Sequence, residues 1–146
     1  MSNSQAIGVA YQDQDIVNSN LSLVNAASGQ IGYNTGSSTA VPTAVTQATN
    51  KSTGVTVNAP CGTITMNGAA LAAGVEVAFI VTNSSVSAYD VPVLAIKSGA
   101  TTAGTYLVSV AAVAAGSFTI VVSYASAGSL SEALVISFCL IHVAQQ

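Results

Sequence analysis

A period-two alternation of apolar and polar residues constrains this chain most, and it runs from Gly54 towards the last residues. Successive side chains of a β-strand point to opposite faces, so such alternation is typical of strands that bury one face. It predicts strands at Gly54–Asn58, Gly62–Met66, Val75–Thr82, Val91–Ile96, Tyr106–Val113, Ser117–Tyr124 and Glu132–Val143. Residues 54–146 are therefore expected to form an all-β module, a β-sandwich or jelly roll of about 7–8 strands.

Three of the predicted strands have one face that is almost wholly apolar. These faces consist of Val75, Val77, Phe79 and Val81, of Phe118, Ile120, Val122 and Tyr124, and of Leu134, Ile136, Phe138 and Leu140. Phe79, Phe118 and Phe138 are expected to lie in the core. The opposite faces are also more apolar than a water-facing sheet should be, so contact on both sides is expected. They include Ile80, Val121, Val135 and Ile141.

Glycines and one Asn-Gly pair mark the connections between the strands. Asn67-Gly68 is a strong signal for a short turn. The remaining breaks are expected at Gly74, Gly99, Gly104, Gly116 and Gly128.

Residues 1–53 have a different character, being rich in Ser, Asn, Gln, Thr and Gly with scattered apolar residues. We expect an extended N-terminal arm with few internal contacts, which becomes ordered by lying against a partner. Within it, Tyr11, Asp13, Asp15 and Tyr33 are the residues predicted to contact that partner, because a partner surface would bury aromatic side chains.

Charged residues make up only 5% of the chain, against about 25% in a typical soluble domain. A transmembrane helix would need about 18 consecutive apolar residues, and the apolar stretches here are interrupted by Ser, Thr or Gly. A disordered chain would be poor in hydrophobic residues, whereas 51% of this chain is hydrophobic. The remaining explanation is a folded module whose surface is covered by neighbouring molecules. A charge-poor surface makes an isolated monomer poorly soluble, but it has no such cost inside an assembly.

The net charge excludes some classes of binding partner, and the N-terminal residues indicate the compartment in which the protein assembles. With a net charge of −3 and two basic residues, the chain has little with which to neutralise phosphates, so neither nucleic acid nor an anionic membrane is expected as a partner. The first residues lack the basic and apolar regions of a secretory signal, so assembly in the cytoplasm is expected.

The sequence offers little material for catalysis, and we expect neither an enzyme nor a bound metal or cofactor. His142 is the single histidine and is expected to be a packed or edge residue. Glu76, Asp90 and Glu132 lie at the ends of predicted strands, where exposure is the default. Cys61 and Cys139 are expected to be reduced, buried hydrophobic residues, with a disulfide between them as the second possibility.

Three segments of the chain resemble a known family. They are Thr46-Gln-Ala-Thr-Asn-Lys-Ser-Thr-Gly-Val-Thr-Val-Asn, Cys61-Gly-Thr-Ile-Thr-Met-Asn-Gly-Ala-Ala-Leu-Ala-Ala-Gly and Ala127-Gly-Ser-Leu-Ser-Glu-Ala-Leu-Val-Ile-Ser-Phe. Together they are similar to a module in virion proteins of tailed bacteriophages. The similarity covers about the last two thirds of the chain and is a pattern of small residues. It implies a particle component without catalytic residues, on the capsid surface or in the tail.

The resemblance and the charge-poor composition together predict a capsid decoration (cement) protein. Such a protein would form a homotrimer, bind the major capsid protein and stabilise the phage head. The alternative is a tail or fibre component that binds a host receptor through loops such as Ser84–Tyr89 or Ser98–Gly104. A small hydrolase acting on host surface polymer is a third possibility, which the shortage of paired acids and histidines disfavours.

Overall fold

The computed structural model describes residues 43–125 and 127–143, and these ranges contain eight strands and no helix. The strands are β1 (Thr43–Thr46), β2 (Val55–Thr56), β3 (Cys61–Thr65), β4 (Glu76–Thr82), β5 (Val91–Ser98), β6 (Tyr106–Ala114), β7 (Ser117–Tyr124) and β8 (Val135–Ile141). The predicted all-β fold is confirmed. Each of the seven strands predicted from alternation corresponds to one of β2–β8.

The strands form two four-stranded mixed sheets. The first sheet has the order β1-β3-β8-β5, and the second has the order β2-β4-β7-β6. In each sheet the outermost short strand, β1 or β2, is parallel to its neighbour, and all other pairs are antiparallel. Among the eight described strands, β6 and β7 are the one consecutive pair in the same sheet, and a tight hairpin joins them.

The core lies between the two sheets, as in a β-sandwich. Along β7 every second residue is buried, and the buried set is the predicted one: Phe118, Ile120, Val122 and Tyr124. The facing set is Leu134, which directly precedes β8, and Ile136, Phe138 and Leu140 of β8. The rings of Phe118 and Phe138 meet across the core at 5.7 Å between centroids. Each such side chain contributes about 1.5–3 kcal/mol by leaving water, so this interface holds the two sheets together.

All four sheet edges have features that discourage pairing with another strand. Two edge strands are short, since β1 has four residues and β2 has two. The other two carry irregularities, between Ile96 and Ser98 in β5 and between Val110 and Ala112 in β6. Short edges and bulges both interrupt the row of free backbone groups that an added strand would need.

Four of the five predicted glycine breaks have backbone conformations that favour glycine. Gly74, Gly99, Gly104 and Gly116 have positive φ angles, and Gly116 closes the β6–β7 hairpin. The short turn predicted at Asn67-Gly68 is wrong. Asn67 follows β3 in an irregular segment, and its side-chain oxygen accepts a hydrogen bond from the Ala69 N–H at 2.8 Å.

The described part of the expected arm, residues 43–53, packs into the sandwich. Strand β1 pairs with β3, and the Gln47 N–H donates to the Thr65 carbonyl at 2.9 Å. Gln47 and Lys51 are both buried. These residues therefore belong to the β-module structurally, although their composition resembles that of the preceding segment.

Candidate functional site

The outer face of the second sheet is nearly free of charge. Across β4, β7 and β6 the outward residues form rows, Glu76–Ser123–Leu107, Ala78–Val121–Ser109 and Ile80–Thr119–Ala112. Ile80 and Leu107 expose 56% and 69% of their surface. Glu76 is the single charged residue in these rows, and its Oε1 accepts a hydrogen bond from the Ser123 hydroxyl at 2.7 Å. Depletion of charged residues is also a property of the buried core of a protein interface.

A shallow depression lies on the same sheet where β2 meets β4. Its lining consists of Ser52, Gly54, Ala78, Phe79, Ile80 and Thr119. None of these residues is an acid or a base, so the lining offers no group that could activate the hydroxyls of Ser52 and Thr119 as nucleophiles. It adds concave apolar surface to the face described above.

The outer face of the first sheet is apolar at one end. Val91 and Ile141 are cross-strand partners, and more than half of each is exposed. Beside them lie Val93, which is 48% exposed, and its partner Cys139 on β8. Cys139 is exposed and Cys61 is half-buried, so the expectation that both cysteines are buried is wrong. Both thiols are free.

A buried polar cluster joins the β4–β5 connection to the residues that follow β8. Asp90, which the sequence predicted to be exposed, is buried. Its Oδ1 accepts from the Ser87 hydroxyl at 2.7 Å and from the Val143 N–H at 3.2 Å. Its Oδ2 accepts from the Ser87 N–H at 2.8 Å and lies 2.8 Å from Nδ1 of His142.

These contacts determine the protonation state of Asp90. Burial acts to raise its pKa, but the hydrogen bonds from Ser87, His142 and Val143 outweigh burial and lower the pKa to about 2. The carboxylate is therefore ionised at neutral pH. It can only accept hydrogen bonds, so Nδ1 of His142 donates to it.

The three side chains do not form a catalytic triad. In a triad the imidazole stands between the serine and the acid, and takes the proton of the hydroxyl. Here the carboxylate stands between Ser87 and His142, and the Ser87 hydroxyl donates to Asp90 at 2.7 Å. The arrangement fixes a loop rather than activating a nucleophile.

A second polar cluster holds residues 47–53 against the end of β3. The Nζ of Lys51 donates to the backbone carbonyls of Asn67, at 2.8 Å, and Glu132. The side chain of Gln47 donates to the carbonyls of Lys51 and Thr53 and accepts from the Asn67 N–H. Desolvation lowers the pKa of Lys51, while the Glu132 carboxylate opposes that shift.

Glu132 links this cluster to strand β6. Its Oε1 accepts from the Thr101 N–H at 2.6 Å. Hydrogen bonding from the Thr101 side chain, followed by this N–H contact, lowers the pKa of Glu132. Burial raises the pKa of Tyr106, and the Glu132 carboxylate raises it further. Glu132 is half-buried rather than exposed as predicted. Lys51 and Glu132 thus lie close together although 81 residues separate them in the chain.

The residues that the sequence predicted to contact a partner, Tyr11, Asp13, Asp15 and Tyr33, lie outside the described residues. Within residues 43–125 and 127–143, no group of three or more His, Cys, Asp or Glu is placed to hold a metal ion. The same part of the chain contains no helix long and apolar enough to cross a membrane.

Comparisons with protein-family models, with curated proteins and with solved structures find no match for this chain. The fold and the two outer faces show that residues 43–125 and 127–143 form a two-sheet β-sandwich module with charge-poor surfaces.

Proposed function

We propose that this chain is a structural protein of a virus particle, and specifically a capsid decoration (cement) protein that binds and stabilises a phage head. The observation that carries the proposal is the shortage of charge on its surface. Of the five charged residues in the described part of the chain, Lys51 and Asp90 are buried and Glu132 is half-buried. Glu76 and Lys97 are the two that stay exposed there.

Such a surface is suited to a protein that functions as a subunit of a larger assembly. Two apolar faces are disadvantageous for a free monomer, because exposed apolar patches promote association. In a symmetric oligomer bound to a shell, the same faces become interfaces. We propose a homotrimer that contacts the major capsid protein on the capsid surface after assembly in the host cytoplasm.

The N-terminal residues supply the proposed shell anchor. Tyr11 and Tyr33 would offer aromatic contacts, and Asp13 and Asp15 would offer carboxylates to the capsid partner. Each contact would be weak, but repetition over many subunits multiplies the binding. The function is mechanical, with no metal, cofactor, nucleic acid or membrane involved and no chemical step.

The test is the mass of the purified protein by light scattering, with and without capsids of the phage that encodes it. Full-length protein and a chain beginning at Thr43 are compared. We expect trimers in both cases and capsid binding by the full-length chain alone. A protein that stays monomeric and does not bind capsids would refute the decoration function.

A tail or fibre component is the second candidate, and one exposed aromatic residue favours it. Tyr89 is 62% exposed at the end of the loop that Asp90 anchors, so the loop presents a rigid aromatic contact to a receptor. Copy number separates the two functions. A decoration protein is expected in hundreds of copies per particle, on the order of the number of shell subunits it braces. A receptor-binding part is expected in far fewer copies and should block adsorption to host cells when added free.

A further inference from the structure

Cys61 and Cys139 are directly opposite each other in the antiparallel pair of β3 and β8. They lie 78 positions apart in the chain, so only the pairing of these strands brings them together. Their neighbours Gly62 and Phe138 point into the core, and both cysteines therefore point to the outer face of the first sheet.

The hydrogen bonds of this strand pair determine the spacing between the two cysteines. Leu140 N–H donates to the Pro60 carbonyl at 2.8 Å, and Met66 N–H donates to the Leu134 carbonyl at 2.7 Å. Hydrogen-bonded pairs alternate with non-hydrogen-bonded pairs along an antiparallel ladder, so the pair Cys61–Cys139 is of the non-hydrogen-bonded type.

Residues in a non-hydrogen-bonded pair have Cα atoms about 4.5 Å apart and side chains close together. Disulfides span Cα separations of about 4.4–6.8 Å, so the pair can be bridged without moving the backbone. The thiols also influence each other: burial raises the pKa of the Cys139 thiol, and the neighbouring Cys61 raises it further.

We propose that Cys61 and Cys139 are a modification site, at which a small disulfide oxidant such as oxidised glutathione converts the two free thiols into a cross-strand disulfide. The inference stands on the strand register and does not depend on the proposed function. Cys139 is exposed and is the point of entry for the oxidant.

The reaction proceeds by two thiol–disulfide exchanges. The Cys139 thiolate attacks oxidised glutathione, whose sulfur–sulfur bond breaks, giving a mixed disulfide and one molecule of glutathione. The Cys61 thiolate then attacks Cys139 Sγ and releases the second glutathione. The two cysteines lose two protons and two electrons, and the oxidant becomes two molecules of reduced glutathione.

The bond would join the central strands of the first sheet and close a long loop. Such a link removes freedom from the unfolded chain, and the effect grows with the length of the loop.

The test uses the full-length protein, reduced, freed of reductant and incubated with oxidised glutathione at mildly alkaline pH. We expect loss of both free thiols, a fall in intact mass by two hydrogen atoms, and recovery of the two cysteine peptides joined in one monomer. The unfolding temperature should rise on the order of 10 °C, and dithiothreitol should reverse the rise.

Variants make the outcome decisive. Cys61→Ser and Cys139→Ser should each take up a single glutathione without a rise in unfolding temperature. A matched positive control places cysteines at Thr63 and Ser137, the next pair of the same type, in a Cys61→Ser/Cys139→Ser background. Free thiols, a stable mixed disulfide or a cross-linked dimer in the native chain would each overturn the proposal.

Discussion

Lys51 and Asp90 are charged side chains held inside the sandwich by several hydrogen bonds each. Lys51 is 4% exposed and donates to two backbone carbonyls, while Asp90 accepts from three residues. A buried charge is tolerated only when it is compensated in this way. These residues therefore stabilise the connections between strands and add nothing to the charge of the surface.

Substitution of Lys51 by Met should destabilise the fold by about 1–3 kcal/mol, because the carbonyls of Asn67 and Glu132 lose their donor. Urea unfolding measures the change. Lys97→Met is the matched control, since it removes the same charge from an exposed position and should have little effect. Equal effects of the two substitutions would show that net charge, and not burial, matters.

Asp90 should make stability depend on pH in the acid range. Its pKa in the folded protein, about 2, lies below the ordinary value of 3.8, so its contribution is present above pH 3.8 and is lost as the pH falls towards 2. The difference corresponds to about 2 kcal/mol. Asp90→Asn should lower the free energy of unfolding by about that amount at neutral pH.

The destabilisation caused by Asp90→Asn should shrink towards zero near pH 2, which unfolding curves recorded across the acid range would show. Glu76→Gln changes an exposed carboxylate and should leave stability nearly unchanged at every pH. A loss of stability in Asp90→Asn that stays constant down to pH 2 would contradict the assignment.

Strand β1 illustrates how an element depends on one residue of its neighbour. It lies beside β3, and a Cβ atom added at Gly62 would approach the Thr43 carbonyl oxygen to 2.5 Å and the Phe138 ring to 2.8 Å. Glycine is therefore required for a close approach of β1 and for the packing of Phe138. The short edge strand and the core meet at this position.

Gly62→Ala should cost about 1–3 kcal/mol through overpacking, and it should displace β1 from the sheet. Hydrogen exchange of the β1 amides would report the displacement, and thermal unfolding would report the loss. Gly68→Ala is the control, because its Cβ would meet the Ser131 carbonyl oxygen at an ordinary distance of 3.7 Å. Unchanged protection of β1 in Gly62→Ala would refute the role of the close approach.

At the scale of the whole molecule, the outer face of the second sheet is one of the surfaces that we propose to be covered by neighbours. Ile80 and Leu107 are its most exposed apolar side chains. A lysine placed there would be accommodated by water in a free subunit but would be buried without a partner in an interface. Folding and assembly should therefore respond differently to the same substitution.

Ile80→Lys and Leu107→Lys should each weaken oligomerisation or capsid binding at least tenfold while the unfolding temperature changes little. Ultracentrifugation and capsid co-sedimentation measure these effects. Ala103→Lys adds the same charge to an exposed loop and should leave assembly intact. If Ala103→Lys abolishes oligomerisation or capsid binding while Ile80→Lys and Leu107→Lys do not, the loop and not the sheet is the contact surface.

The sequence by itself determined the strands and their buried faces, because alternation is a local property that a sheet must obey. Phe118, Ile120, Val122 and Tyr124 on β7 are buried as the pattern predicts. Four of the predicted glycine breaks have the positive φ angles that glycine adopts readily. Strand β1 was missed because four residues in a Thr- and Ala-rich stretch show too little alternation.

Only the tertiary structure decided which distant residues meet. The pairing of Cys61 with Cys139, the contact of His142 with Asp90 and the burial of Lys51 all depend on the order of strands in the two sheets. Sequence spacing carries no information about that order, because the same alternation permits many arrangements of strands. Asp90 is buried and Glu132 is half-buried for a related reason, because distant segments supply hydrogen-bond donors to both. His142 and Val143 donate to Asp90, and Thr101 donates to Glu132.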